Sequence, residues 1–86
     1  MKYKDGLNID VYGTKRWYLN GQQHRTDGPA EEFANGDKLW WLNGKLHRDG
    51  GPAIDANGYK AWYLNGQQLT EAEIRTVQLQ KIMEKF

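Results

Sequence analysis

Two dipeptides carry the side chains best suited to chemistry, His24-Arg25 and His47-Arg48, each with an acid close behind, Asp27 and Asp49. A histidine beside an arginine and a carboxylate could relay a proton or grip an anion. Their spacing argues for another role. The pairs lie 23 residues apart in matching local contexts, so they should occupy equivalent places in successive units. Corresponding strands of two-stranded units stand ~10 Å apart, too far for both imidazoles to share one Zn²⁺. With no Cys, thiolate ligands, disulfides and Cys nucleophiles are excluded, and with no Ser a serine triad is excluded as well. The glycines accompany turn formers and build no strand-to-helix phosphate cradle. The expectation is a non-enzyme with no catalytic residues, no metal and no cofactor. Each histidine is expected to pack on, or hydrogen-bond near, the Trp of its own hairpin. Arg25 and Arg48 should pair with Asp27 and Asp49 or cap loop carbonyls, with weak phosphate or carboxylate contact as the functional alternative.

The elements that position these residues are written in the glycines. Asn-Gly occurs at 20, 35, 43, 57 and 65, and Tyr12-Gly13 takes an equivalent place near the start. Asn-Gly tolerates φ > 0 at both centres of a type I′ turn, the strongest short hairpin signal. Six residues, an ordinary strand length, separate the short-step pairs: 14–19, 37–42 and 59–64. Trp17-Tyr18-Leu19-Asn20-Gly21 recurs as Trp40-Trp41-Leu42-Asn43-Gly44 and as Trp62-Tyr63-Leu64-Asn65-Gly66, and Gly28-Pro29-Ala30 recurs as Gly51-Pro52-Ala53. Self-similarity at 22–23 residues means stacked supersecondary units, about three of them within 5–69. The match is imperfect, since Gly50 stands where Asp27 does, and the last unit reads Gln67-Gln68-Leu69-Thr70 without His-Arg. Parity favours two antiparallel strands per unit: one ending in Trp-x-Leu and a return strand over about 29–34 and 52–56, with His-Arg-x-Asp-Gly as a bent connection.

The pattern Trp-x-x-Asn-Gly-x-x-His, followed by a Gly-rich return strand, resembles the MORN repeat and its shorter variants. Arg25 and Arg48 stand where that repeat usually has Gly, and Gly-Pro-Ala is a further departure. The His-Arg-x-Asp-Gly-Pro-Ala form is similar to repeats in small proteins of phages, bacteria and large DNA viruses. The resemblance implies a mainly β fold, a meandering antiparallel sheet of hairpins, serving as a binding or assembly scaffold.

Alternation gives such a sheet two different faces. Lys-x-Trp-x-Leu is the same in every unit and reads as packing between units. The other face varies, with Arg16 and Tyr18, then Leu39 and Trp41, then Tyr59 and Tyr63. An amphipathic aromatic row of this kind is enriched at interfaces, although a covering helix would account for it equally well. Thr70-Glu71-Ala72-Glu73 fits a capping box and predicts a helix over about 71–85, making 70–86 a capping or assembly segment. Ala72, Leu79, Ile82, Met83 and Phe86 share one stripe, expected on the sheet, while Ile74 and Val77 fall opposite and are candidates for an intermolecular, homodimeric contact.

The 86 residues make one small domain, with 38% hydrophobic residues but 13% aromatics, so burial leans on a few large rings. A net charge of +1 argues against a strong sequence-independent grip on nucleic acid. No run approaches a membrane span, and a cytoplasmic location is expected, that of the host cell if the chain is phage-encoded. The leading expectation is a phage-type protein that binds a host protein, such as a defence component, and inhibits it. The alternatives are a nucleotide-like ligand binder and a structural homo-oligomer or antitoxin-like scaffold.

Overall fold

A computed structural model describes residues 4–85. The units begin as a hairpin of β1 (Gly6–Ile9) and β2 (Lys15–Leu19). A tip turn leads to β3 (Gln22–Gln23), and a bent connection leads to β4 (Glu31–Glu32). The second unit repeats this with β5 (Lys38–Leu39), β6 (Trp41–Leu42), β7 (Lys45–Leu46) and β8 (Ile54–Ala56). The third has β9 (Tyr59–Ala61), β10 (Tyr63–Leu64) and β11 (Gln67–Gln68) before helix α1 (Glu71–Met83). The main sheet is an antiparallel meander in the order β1-β2-β4-β5-β8-β9, with β3 joined to β2 alone. The tip hairpins β6–β7 and β10–β11 form two small sheets of their own. Each unit thus has a short third strand that the parity argument does not anticipate. It stays off the main path, and two strands per unit still carry the meander.

The Asn-Gly turns divide into two kinds. At the tips both centres are left-handed, as with Asn43 at φ 51° and Gly44 at φ 77°, which is the type I′ pattern. At Asn35-Gly36 and Asn57-Gly58 only the glycine has positive φ. There the turn joins a return strand to the next unit. Phe33 N–H donates to Asp37 O at 2.9 Å, closing a five-residue loop in which Gly36 takes the left-handed position.

The register explains how so small a chain builds a core. One row across the sheet reads Ile9, Lys15, Glu32, Lys38, Asp55, Lys60. From Lys15 onward the charges alternate in sign, each opposed pair contributing ~0.2–1 kcal/mol, and Lys60 closes on Asp55 as an ion pair. Two residues further along the strands, on the same face, Trp17 N–H donates to Ala30 O at 2.8 Å and Trp40 N–H to Ala53 O at 2.7 Å. Extending the register sets the rings and methyls in the order Trp17, Ala30, Trp40, Ala53, Trp62. The large rings leave room only for alanine between them, and both alanines are wholly buried. Among the described residues no large side chain is fully buried. The sheet is a single layer whose large side chains are shielded in part by its own loops.

Helix α1 starts as the sequence predicts. The Thr70 hydroxyl accepts from Glu73 N–H at 3.2 Å and the Glu73 carboxylate accepts from Thr70 N–H at 2.9 Å. Its orientation departs from the expectation. Of the stripe expected on the sheet only Ala72 faces the third hairpin, beside Val77, while Leu79, Ile82 and Met83 are more than half exposed and Ile74 is half-buried. Phe86, placed on the same stripe, lies outside the described residues. The helix is placed by neighbours the sequence pattern does not contain: Val77 shares a small apolar pocket with Leu64 and Leu69 of the third hairpin, and Lys81 reaches Asp49 at 3.8 Å. No helix among the described residues is long and apolar enough to cross a membrane.

Candidate functional site

The His-Arg segments are the joints of the stack. Arg25 lays its guanidinium carbon 3.9 Å from the centre of the Trp17 ring, and Arg48 does the same to Trp40 at 3.7 Å. The far side of each guanidinium meets a glycine. A Cβ on Gly28 would come within 3.1 Å of Arg25 Cζ, and one on Gly51 within 2.9 Å of Arg48 Cζ. Each arginine then donates to the next carbonyl, Arg25 to Pro29 O and Arg48 to Pro52 O, both at 3.1 Å. The recurring Gly-Pro-Ala is thereby explained. Glycine leaves space for the guanidinium, proline offers its carbonyl, and alanine fits between the rings.

The histidines act within and across units: each donates its backbone N–H to the Trp carbonyl of its own hairpin, near where the sequence places it, and its imidazole reaches the next unit. His24 Nδ1 accepts from Asn43 N–H at 2.9 Å, and His47 Nδ1 from Asn65 N–H at 3.0 Å. These amides belong to the next unit's tip turn, whose left-handed Asn turns its N–H towards the preceding hairpin. Backbone bonds run alongside: Arg25 N–H to Trp41 O, Gly44 N–H to Gln23 O, Arg48 N–H to Tyr63 O and Gly66 N–H to Leu46 O, all between 2.8 and 3.1 Å. Among the described residues no group of three or more His, Cys, Asp or Glu could hold a metal.

The two arginines differ in one respect. Arg25 pairs with Asp27 at 2.9 Å, and the Arg25 hydrogen bond holds the Asp27 carboxyl below its ordinary range. In the second unit Gly50 replaces that acid and Asp49 faces Lys81 instead. Between the joints of the first two units runs a groove of about 560 Å³, floored by Trp40 and Leu42 and rimmed by Arg25, Asp27, Arg48 and Asp49.

The variable face holds a network that the sequence does not announce. Glu31 is buried, 7% exposed, and bridges two units. Its carboxylate accepts from Arg16 Nε at 2.8 Å and from Trp41 Nε1 at 3.2 Å. Arg16 also pairs with Asp10 at 3.0 Å. The Glu31 hydrogen bond raises the Arg16 pKa above its ordinary value, and Asp10, which accepts from Thr14 and Tyr12 N–H and from Arg16, is held low. Periodicity could have found Glu31, because it lies opposite Arg16 once the return strand is in register; two consecutive glutamates simply look like surface.

Of the six residues expected on this face, Arg16 and Trp41 meet at Glu31. Leu39 lies between Glu31 and Ile54 in the same row. Tyr18 and Trp41 line a shallow pocket of about 290 Å³ with Gln22 and Gln23. Gln23 Oε1 is buried there without a hydrogen-bond partner among the described residues. Tyr63 donates its hydroxyl to Gln68 Oε1 at 3.5 Å. Tyr59 is 55% exposed on β9, the last strand of the main sheet. Helix α1 packs at Leu64 and Leu69, on the opposite side, and so does not account for this aromatic row.

Comparison with protein-family models, curated proteins and solved structures brings no significant match.

Proposed function

We propose that this chain is a non-enzymatic protein-binding module on a MORN-like repeat sheet, and that its variable face carries the contact. The observation that supports this most is Trp41, held by the buried Glu31 carboxylate on the face that also carries Tyr18, Tyr63 and, further along the sheet, the exposed Tyr59. Rings fixed in advance lose little entropy on binding, which suits them as interface anchors. The opposite face carries the joints between units, whereas the residue types on this face change from one unit to the next. Resemblance of the His-Arg-x-Asp-Gly-Pro-Ala form to phage repeats supports the narrower reading, a phage-type protein acting in the host cytoplasm to bind and inhibit a host defence protein. The nucleotide-like reading has weaker support, because Arg25 and Arg48 already stack and hydrogen-bond within the fold.

The test pairs capture with infection. Tagged protein should retain one bacterial protein, and Tyr59→Ala and Trp41→Ala should lose it while keeping the wild-type circular dichroism. Expression should restore phage plating on cells whose defence system contains that protein. Equal retention by wild type and both variants would remove the variable face from the proposal.

A further inference from the structure

The repeat supplies its own control for what the open groove accepts. Shifting the groove of the first two units by one repeat turns Trp40 and Leu42 into Trp62 and Leu64, and His47 into Leu69. Helix α1 covers that equivalent place, Val77, Thr76 and Ala72 enclosing with Leu64 and Leu69 a smaller space of about 310 Å³. Lys81 rests over Gly50, so closely that a Cβ there would be 2.9 Å from its Cε. The groove between units one and two has the same build and no helix. The Asp49 loop divides the two, rimming the open groove and meeting Lys81 on the other side.

Helix α1 also has a face without a partner. Leu79, Ile82 and Met83 are 57%, 55% and 65% exposed. At 100° per residue they centre opposite Val77 and Lys81, pointing away from the molecule's own sheet. One chain therefore carries an empty helix-shaped groove and, one repeat away, an unpaired apolar helix face. A two-fold axis can satisfy both together, because an isologous contact sets i against j and j against i.

We propose that two copies dock through their Trp faces, each laying the outer side of α1 into the other's open groove. Leu79, Ile82 and Met83 then rest on the partner copy's Trp40–Leu42 floor. The spacing fits: successive units repeat every ~10 Å, and helices pack side by side at 8–10 Å, so with the two-fold axis running between them the two α1 helices lie parallel in neighbouring grooves as one layer between two sheets. Lys85 flanks the apolar helix face and Arg75 lies on it one turn before Leu79, and the groove rim offers them Asp27 and Asp49, 82% and 77% exposed at their side chains, beside Arg25 and Arg48. A stable dimer needs about 800 Å² from each partner, near one-eighth of this chain's 6105 Å² surface. The dimer uses the face opposite Trp41 and Tyr59, so it stands or falls apart from the variable-face proposal.

The test is mass and cross-linking. The protein should sediment at twice its 10.0 kDa mass at about 100 µM, a concentration that populates a micromolar dimer. Ile82→Glu on the helix and Thr26→Arg in the groove, both at exposed positions, should each return it to monomer, with a thermal midpoint that matches the wild type diluted below its dimer dissociation constant. Because the chain lacks Cys, Ile82→Cys mixed with Thr26→Cys should form an intermolecular disulfide under mild oxidant. A wild-type monomer overturns the proposal, as does a dimer that survives both charged variants. So does cross-linking of Ile82→Cys only to itself, which would mean helix-to-helix contact. In any of these outcomes the capture assay with Trp41→Ala still reports on the variable face.

Discussion

The first two units and the third share a backbone plan and differ in what completes it. In all three the residue after the tip hairpin donates its N–H to the Trp carbonyl: His24 to Trp17, His47 to Trp40 and Leu69 to Trp62, at 2.8–3.0 Å. The first two then present an imidazole acceptor and an arginine to the unit ahead. In the third those positions are Leu69 and Thr70. Leu69 packs under the helix and Thr70 caps it. With no fourth tip turn to receive, an acceptor there would find no amide. The lesson is that His-Arg belongs to the junction between units and not to the unit, which is why two side chains that look catalytic serve assembly.

That comparison can be broken most severely at the rings. Trp40→Ala removes a ring that carries Arg48 and is flanked by two buried alanines, and should cost about 3 kcal/mol. Trp62→Ala, with no guanidinium stacked on it, should cost about 1 kcal/mol less. Urea unfolding followed by circular dichroism measures both, and equal losses would mean the stack adds nothing. Next come the glycines. Gly51→Ala forces a methyl against the pinned Arg48 and should cost about 1–3 kcal/mol, as overpacking does. Gly28→Ala should cost less, because its Cβ would stand 3.1 Å from Arg25 Cζ against 2.9 Å for Gly51. Thermal midpoints of the two variants should keep that order.

Smaller effects sharpen the contrast. His47→Ala leaves Asn65 N–H without its acceptor, for about 1 kcal/mol, and exchange of that amide measured by NMR should speed up. The counterpart at the third unit is Thr70→Ala, which loses the cap, also for about 1 kcal/mol, and should appear as reduced helical signal with the sheet unaffected. The smallest effect concerns pH. Asp27 and Asp55 are held low by Arg25 and Lys60, respectively. A carboxylate whose folded pKa is depressed adds stability above its unfolded pKa and loses it as pH falls through the folded one. Stability should thus decline on acidification below the ordinary carboxylate range. Asp27→Asn should blunt that decline in the first unit, while the second, with Gly50 at the equivalent place, has no matching acid to remove. Acid titration of the wild type and Asp27→Asn with the same optical signal checks this.

The period, the tip turns, the mainly antiparallel sheet and the capped helix are all legible in the sequence, because each depends on residues near one another along the chain. What is not legible depends on register or on distant neighbours. Glu31 becomes a buried bridge only when the return strand aligns it with Arg16. The two kinds of Asn-Gly turn look alike until loop closure separates them. Helix rotation is the clearest case: α1 has apolar residues on two sides, and periodicity cannot choose between them. The choice falls to Leu64, Leu69 and the Asp49 loop. The histidines were found by type, but the partner amide of each lies 18 or 19 residues away, inside the next turn.

The histidine-to-asparagine link also gives the array a direction. The acceptor always faces forward and the donor backward, so the series has a head and a tail in the way a polar filament does. Leu69 is where that polarity is silenced. Restoring His-Arg at 69–70 and removing the helix would leave an end that offers an acceptor to any tip turn of the same kind, including the one on another copy. Helix α1 stands where a fourth unit would join, closing a series that has the logic of a polymer.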